Sequence, residues 1–479
     1  MMRISPSSKA IALRPIGRTL AGAGFLLPLV TVICFVTSGA PIMMALLSAI
    51  CVSCLFSIYI GYEWRDVQAA AMEGVARVFP ATFMMILVGI MIAVWIAAGC
   101  VPTLLYYGIR LINPTYFLPL SFIVCALTCM TIGTSWGTAG TVGLALMGVA
   151  QGLGVPLPMT AGAVISGALV GEKLSPIAST TILTAASTGT DLVDHVLSML
   201  NTTIPATVIS LCLFYYLGIY HAPSANDIQT VELLTAGLKA NFTIHPILLA
   251  PPMFVLLFSA RRKPAIPVFV GGIVLGIICA LLFQDATLSK TLAGGMSGFK
   301  SQTGTHTIDN LLSRGGAVSM ATTVYLCLCA GIFSGILDQQ RILTVLMDSV
   351  LRFARSTGGL ILSTTLGCVA LMLGGAGQYA TLTLPGVAFR KAFDDRDVHS
   401  SVLSRTMEDS GTMVGAVIPW DVAALYYASV LGVSMVDYGP YTFIAWMTPF
   451  VSVACGYLGI GVFRTTQKIR PLTIREALT

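Results

Sequence analysis

The sequence predicts an all-α polytopic membrane protein in two related halves, on three observations. The 479 residues are 56% hydrophobic and only 10% charged, whereas a soluble domain carries about 25% charged residues, and the mean hydropathy is +0.87. Apolar runs of bilayer length, about 20 residues, recur along nearly the whole chain. Gly-rich interruptions fall in corresponding places of the two halves. In hydrocarbon every backbone N–H and C=O must be satisfied within the protein, which leaves helices and closed barrels. The runs are continuous in Leu, Ile, Val, Ala and Met, without the alternation of a barrel strand. No room remains for a sizeable soluble domain.

In order along the chain, apolar runs are expected near 20–38, 41–61, 81–99, 114–132, 142–154, 156–170, 195–220, 245–260, 265–283, 317–337, 358–376, 411–432 and 440–463. Arg3, Lys9, Arg14 and Arg18 precede the first run. That basic start and the run from Leu20 to Val36 mimic a secretory signal, but a second span begins at Pro41, so the first is read as an uncleaved helix. Arg464, Lys468, Arg470 and Arg475 follow the last run. The positive-inside rule then places both termini in the cytoplasm of a bacterial inner (plasma) membrane, with an even number of crossings. The net charge of +6 gathers at segment ends, so the expected partner is the lipid bilayer and no nucleic acid is implied. A homodimer is left open. Most of the twelve cysteines sit inside apolar runs and read as small packing residues. Cys51-x-x-Cys54 has redox or metal spacing but no second pair.

Three polar stretches interrupt the runs, at 62–78, 221–243 and 285–315. The middle one divides the chain into a first transmembrane repeat (1–220), a polar connector (221–243) and a second transmembrane repeat (244–479). Gly89–Ala98 matches Gly331–Gln340 at an offset of 242, and the Gly/Thr/Ser-rich break Thr131–Gly140 matches Leu373–Leu382 at the same offset. Met72-Glu-Gly74 falls near Met296-Ser-Gly298 at an offset of 224. Short or Gly-interrupted segments in corresponding halves are the usual pointer to a transporter's binding site.

After each break come charges in an apolar setting: Gly171–Thr181 and Thr188–His195 in the first half, Arg405–Thr412 and Ile418–Asp421 in the second. Glu172 and Glu408 stand in similar contexts at an offset of 236. An ionised carboxylate at a helix centre costs about 2.5–3.5 kcal/mol on insertion scales, and a bound cation offsets that most simply. Gly171 and Pro176 break the helix and free carbonyls which, with the hydroxyls of Ser175, Ser179, Thr180 and Thr181, make hard oxygen ligands. Ser410, Thr412 and Pro419 repeat the construction. The expected Na⁺ ligands are Glu172, Ser175, Thr180 and Asp409, and the wider ion or substrate set adds Thr134, Ser135, Lys173, Ser179, Gln378, Glu408, Ser410 and Asp421. Burial penalises the charged form of an acid, so Glu172, Glu408 or Asp409 could hold a proton and release it when Na⁺ arrives. Lys173 is an internal counter-ion, a proton carrier or an anion ligand.

The competing reading makes these clusters interfacial loops with solvated charges, as Arg390–Asp397 is read. Asp191, Asp194 and His195, at a helix start, read as capping groups. Trp136 and Trp420 are site-lining aromatics or interface anchors.

Gly133-Thr-Ser-Trp-Gly-Thr138, Gly171-Glu-Lys-Leu-Ser-Pro176 with Thr180-Thr181 and Gly189-Thr-Asp-Leu192, and Leu403–Thr412 with Ile418-Pro-Trp420 resemble the NhaC-type sodium/proton antiporter family over most of the chain. The resemblance implies inverted structural repeats with broken helices and re-entrant hairpins, and a secondary carrier that exchanges Na⁺ for H⁺. The family also includes exchangers of malate against lactate and relatives thought to carry amino acids. Two departures stand out. The family's Ser-Asp-Thr-Thr-Asn has Ser179 at the Asp position and Ile182 at the Asn position, and its Ile-Pro-Trp-Asn ends in Asp421. Asp421 is expected to take over the charge that Ser179 lacks, which requires the two positions to face one another.

The leading function is Na⁺/H⁺ antiport by alternating access, with Na⁺ and H⁺ as cargo and no cofactor. The alternative is sodium-coupled transport or exchange of an organic carboxylate or amino acid, held by Lys173 and helix N-termini. No filter sequence argues for a channel, and no Ser/His or metal-ligand constellation argues for an enzyme.

Overall fold

The computed structural model describes residues 17–111, 113–220, 235–261, 263–304, 308–309, 312–340, 342, 345, 356–466 and 469. Arg3, Lys9, Arg14, Lys468, Arg470, Arg475, His306, most of the connector and most of the amphipathic stretch after Gln340 lie outside the described residues.

The described residues are helical, with one isolated bridge, Val398 to Arg464, and no named strand among them. Among the described residues, seven helices are long and apolar enough to cross a membrane: Arg18–Thr37, Ile42–Tyr59, Trp64–Ala97, Pro114–Ile132, Leu192–Tyr220, Ala265–Phe283 and Ala317–Gln339. Three further pairs qualify only when a bend is counted inside the span, at 95° before Pro246 and at 49° before both Val422 and Phe443. The apolar surface is partitioned as oil requires. Arg18–Thr37 buries Ala21, Gly24, Pro28 and Val32, three or four residues apart on one face, while Leu26, Leu27 and Val30 point outward.

The breaks position the site. Pro114–Ile132 ends at Gly133 (φ +79°), and the chain restarts as Ser135–Thr138, passing through a π-turn at Ala139–Gly143 into Leu144–Gly152. Leu157–Leu174 then runs to a break around Pro176, Ser179–Thr188 stops at Gly189 (φ +64°), and Leu192–Tyr220 follows. The second half repeats this order. Thr357–Leu373 ends in a break holding Gly375 (φ +78°). After Gly377–Thr381 and Leu384–Asp394, the helix from Ser400 passes through a π-turn at Glu408–Thr412. A break around Pro419 follows, and Val422–Leu431 stops at Gly432 (φ +71°). Glycine is the residue that adopts positive φ without steric cost, and proline cannot donate the helical hydrogen bond. Gly133 and Gly375 are 242 apart, and Pro176/Pro419 and Gly189/Gly432 are each 243 apart.

Glycine also sets the closest helix crossings. A Cβ at Gly171 would run into the Ala126 carbonyl, so Leu157–Leu174 lies backbone to backbone against Pro114–Ile132. Likewise a Cβ at Gly74 would meet the Gly331 carbonyl and one at Gly335 the Ala70 carbonyl, which fixes Trp64–Ala97 against Ala321–Gln339.

Candidate functional site

Three carboxylates and two cations are buried where the broken helices meet. Glu172 lies in the last turn of Leu157–Leu174 and is 7% exposed, while Lys173, Arg405, Glu408 and Asp409 are at 0%. Burying an ionised group without a partner is costly, and each has one or more partners.

Glu172 Oε2 accepts from Ser135 Oγ at 2.5 Å. Ser135 in turn accepts from Tyr427 Oη at 2.8 Å, so a tyrosine after the second-half break orients a serine after the first-half break. The neighbouring residues repeat the link: Tyr426 Oη donates to the Trp136 carbonyl at 2.8 Å, and the two rings stack with centroids 4.8 Å apart. Lys173 forms an ion pair with Asp409, whose Oδ1 also accepts from Thr202 Oγ1 at 3.0 Å. Glu408 Oε2 accepts from Thr184 Oγ1 at 2.6 Å. Arg405 donates to the Gly461 carbonyl at 2.8 Å and leaves Nε and Nη2 without a hydrogen-bond partner. Glu408 Oε1 and Asp409 Oδ2 are likewise buried without one.

Of the expected residues, Ser135, Glu172, Lys173, Glu408 and Asp409 meet in this core. Thr180 is buried with Oγ1 unpaired. Ser175 caps the break and donates to the Met130 carbonyl at 2.9 Å, and Ser410 donates to the Thr406 carbonyl at 2.8 Å. Ser179 is exposed. No hydrogen bond among the described residues joins it to Asp421 or gathers Glu172, Ser175, Thr180 and Asp409 around one point. Asp421 is the N-cap of Val422–Leu431, accepting from Ala423 N at 2.8 Å.

Asp421 and Gln378 share an open cleft with Trp136, Trp420 and Arg77. Thr134 lines a second cleft with Ile177 and Lys263, and Trp136 borders both. Both tryptophans are therefore cleft-lining residues. Asp191 caps its helix by accepting from Val193 N at 2.9 Å, as its position suggested. His195, by contrast, is fully buried, with Nδ1 2.8 Å from Ser404 Oγ. At the offset of 243 that separates Pro176 from Pro419, Gly415 is the position that corresponds to Glu172, while Glu408 lies 236 residues beyond Glu172.

Sequence reasoning missed Thr184, Thr202 and Tyr427 as parts of the core, and marked Arg405 only as a charge in an apolar setting. Thr184 had one available signal, since it lies one helical turn beyond Thr180 on the same face.

The profile of the Na⁺/H⁺ antiporter family matches residues 11–197 and 185–460. The chain is 35% identical over 448 residues to the Na⁺/H⁺ antiporter NhaC of Alkalihalophilus pseudofirmus, covering 93% of this chain and 96% of that protein. It is 34% identical to the malate-2H⁺/Na⁺-lactate antiporter of Bacillus subtilis, covering 89% and 91%. It is 32% identical to the arginine/ornithine antiporter ArcD of Halobacterium salinarum, covering 83% of each.

Proposed function

The chain belongs to the Na⁺/H⁺ antiporter family, and from that premise we propose that it exchanges Na⁺ for H⁺ at the buried carboxylates of the broken-helix core. One observation carries the assignment to this site. Among the described residues, Glu172, Glu408 and Asp409 cluster with Lys173 and Arg405 as the buried cations, so the core favours one more positive charge, whether proton or metal ion. Either ion supplies the one positive charge this carboxylate cluster lacks, so uptake of one drives release of the other. Ser135, Thr184 and Thr202 supply hydroxyl groups to Glu172, Glu408 and Asp409 respectively. Lys173 is read as the internal counter-ion of Asp409.

Alternating access follows from reading the halves as inverted repeats, which the parallel order of breaks supports. The orientation is read with both termini in the cytoplasm of a bacterial inner membrane, in keeping with Arg18 and Arg464 flanking the helical region. The test is a proteoliposome assay of internal pH during Na⁺, Li⁺ and K⁺ pulses. External Na⁺ is expected to raise internal pH, and Glu172→Gln and Asp409→Asn to abolish the response. Wild-type rates in both variants would remove the site assignment.

A second reading, Na⁺-coupled exchange of an organic carboxylate or amino acid, rests on the cleft lined by Gln378, Trp420 and Asp421, whose carboxylate could address the ammonium end of an amino acid. Na⁺-dependent uptake of labelled organic acids separates the two.

A further inference from the structure

The geometry points to a monovalent-cation site at Glu408, built with Thr180, Thr184 and Thr412 and distinct from the Glu172 carboxylate. This deepens the antiport reading and rests on it.

Glu408 and Glu172 differ in what holds them. Glu172 is tied to the Ser135–Tyr427 hydroxyl chain and retains 7% exposure. Glu408 is sealed at 0%, and its Oε1 has no hydrogen-bond partner. Buried polar atoms are nearly always satisfied, so an orphaned one calls for an explanation such as an ion or water. Two threonine oxygens nearby are orphaned as well. Thr412 is 2% exposed, lies in the same π-turn as Glu408, and its Oγ1 has no partner at hydrogen-bond geometry. Thr180, 3% exposed, presents an unpaired Oγ1 one turn before Thr184.

Thr184 can change role. Its single hydroxyl proton lies within reach of two acceptors, Glu408 Oε2 at 2.6 Å and the Thr180 carbonyl at 2.8 Å. Handing the proton to the carbonyl turns an oxygen lone pair toward the carboxylate, so Thr184 serves as hydrogen-bond donor to the empty acid group or as ligand to a cation. The π-turn Glu408–Thr412 carries both Glu408 and Thr412. Such turns depart from the regular ladder and are frequent at functional sites.

The valence follows from charge. Lys173 is committed to Asp409, and with Arg405 it leaves one of the three carboxylates without a buried counter-charge. Within the cluster of Glu172, Glu408, Asp409, Lys173 and Arg405, apart from the cleft carboxylate Asp421, one monovalent ion balances the charge, whereas a divalent ion overshoots. The donors are a carboxylate and hydroxyls, the hard oxygen set that suits Na⁺.

The experiment uses the purified full-length protein, with ²²Na⁺ binding by scintillation proximity beside exchange in proteoliposomes. Thr184→Val and Thr412→Val keep side-chain shape and remove a ligand, and each is expected to weaken Na⁺ binding about tenfold or more. Thr184→Ser and Thr412→Ser, which restore the hydroxyl, are expected to recover it. Glu408→Gln is expected to abolish binding, while Glu172→Gln loses H⁺ exchange and still binds ²²Na⁺. Wild-type affinity in Glu408→Gln and both valine variants, with Na⁺/H⁺ exchange intact, overturns this site alone. A wild-type protein that binds no Na⁺ overturns the antiport reading together with it.

Discussion

Lys173 and Asp409, from opposite halves of the chain, form an ion pair sealed from solvent, with side-chain exposures of 1% and 0%. A second pair, Arg77 with Asp338, also joins the halves but is partly open, at 40% and 20%. The difference in burial sets different consequences for breaking each.

Replacing Lys173 by Met leaves Asp409 as an uncompensated buried charge, a loss of about 3–5 kcal/mol in soluble proteins. Lys173→Met is therefore expected to melt well below wild type in detergent, and the Lys173→Met/Asp409→Asn double variant to recover most of the loss. Arg77→Gln opens a pair that solvent screens and is expected to cost about 1 kcal/mol at most. Equal melting shifts for Lys173→Met and Arg77→Gln would contradict this ordering.

The Tyr427–Ser135–Glu172 chain is expected to respond in a graded way. Ser135→Ala removes the donor to Glu172, an interaction with a charged group worth about 1.5–3 kcal/mol, so the Na⁺/H⁺ exchange rate should fall about tenfold or more. Tyr427→Phe removes only the group that orients Ser135, and an effect of about fivefold is expected. A larger loss in Tyr427→Phe than in Ser135→Ala would place the tyrosine in direct contact with the cargo.

The contrast between these residues explains what was legible in the sequence. Gly133 and Pro176 are local punctuation, visible because no regular helix needs them, and Glu172 and Asp409 stand out because charge in oil demands compensation. Tyr427, Thr184 and Thr202 look ordinary in their own segments. Each acquires its role from a partner more than 200 residues away, and no periodicity encodes such a pairing.

The glycine crossing yields a prediction about assembly. A Cβ at Gly335 or Gly74 meets backbone rather than a movable side chain, so the helices must separate. Gly335→Ala and Gly74→Ala are expected to lower stability by about 1–3 kcal/mol, whereas Gly294→Ala, which meets nothing within 4 Å, should not. Size-exclusion profiles and melting temperatures of the three variants check this.

Outside the spans, Asp309 anchors the loop before Ala317. The backbone N–H of Thr303 at 2.7 Å, with the hydroxyls of Ser301 and Thr303 at 2.8 Å, holds its carboxyl below the usual carboxylate range. A depressed acid contributes order that is present above its unfolded value, about 3.9, and lost as pH falls through the folded value. Hydrogen exchange at Thr303 is therefore expected to be slow at neutral pH and to lose protection below that range. Asp309→Asn should show fast exchange already at neutral pH.

Asp421 has two separable jobs. As N-cap it accepts from Ala423 N, and replacing a cap by Ala costs about 1 kcal/mol. As a charge, its Oδ1 lies 3.2 Å from where a Cβ at Gly415 would stand, and Gly415 is the position opposite Glu172. Asp421→Ser keeps a capping oxygen and removes the charge, so stability should hold while Na⁺-dependent exchange falls. Asp421→Ala should lose both. Ser179 opens the first-half helix after Pro176, where an added carboxylate also complements the helix dipole. If charge is interchangeable between these positions, Ser179→Asp placed on Asp421→Ser restores exchange. If exchange stays low while the double variant folds, Asp421 acts through its cleft contacts with Gln378 and Trp420 instead of as a substitute for the charge absent at position 179.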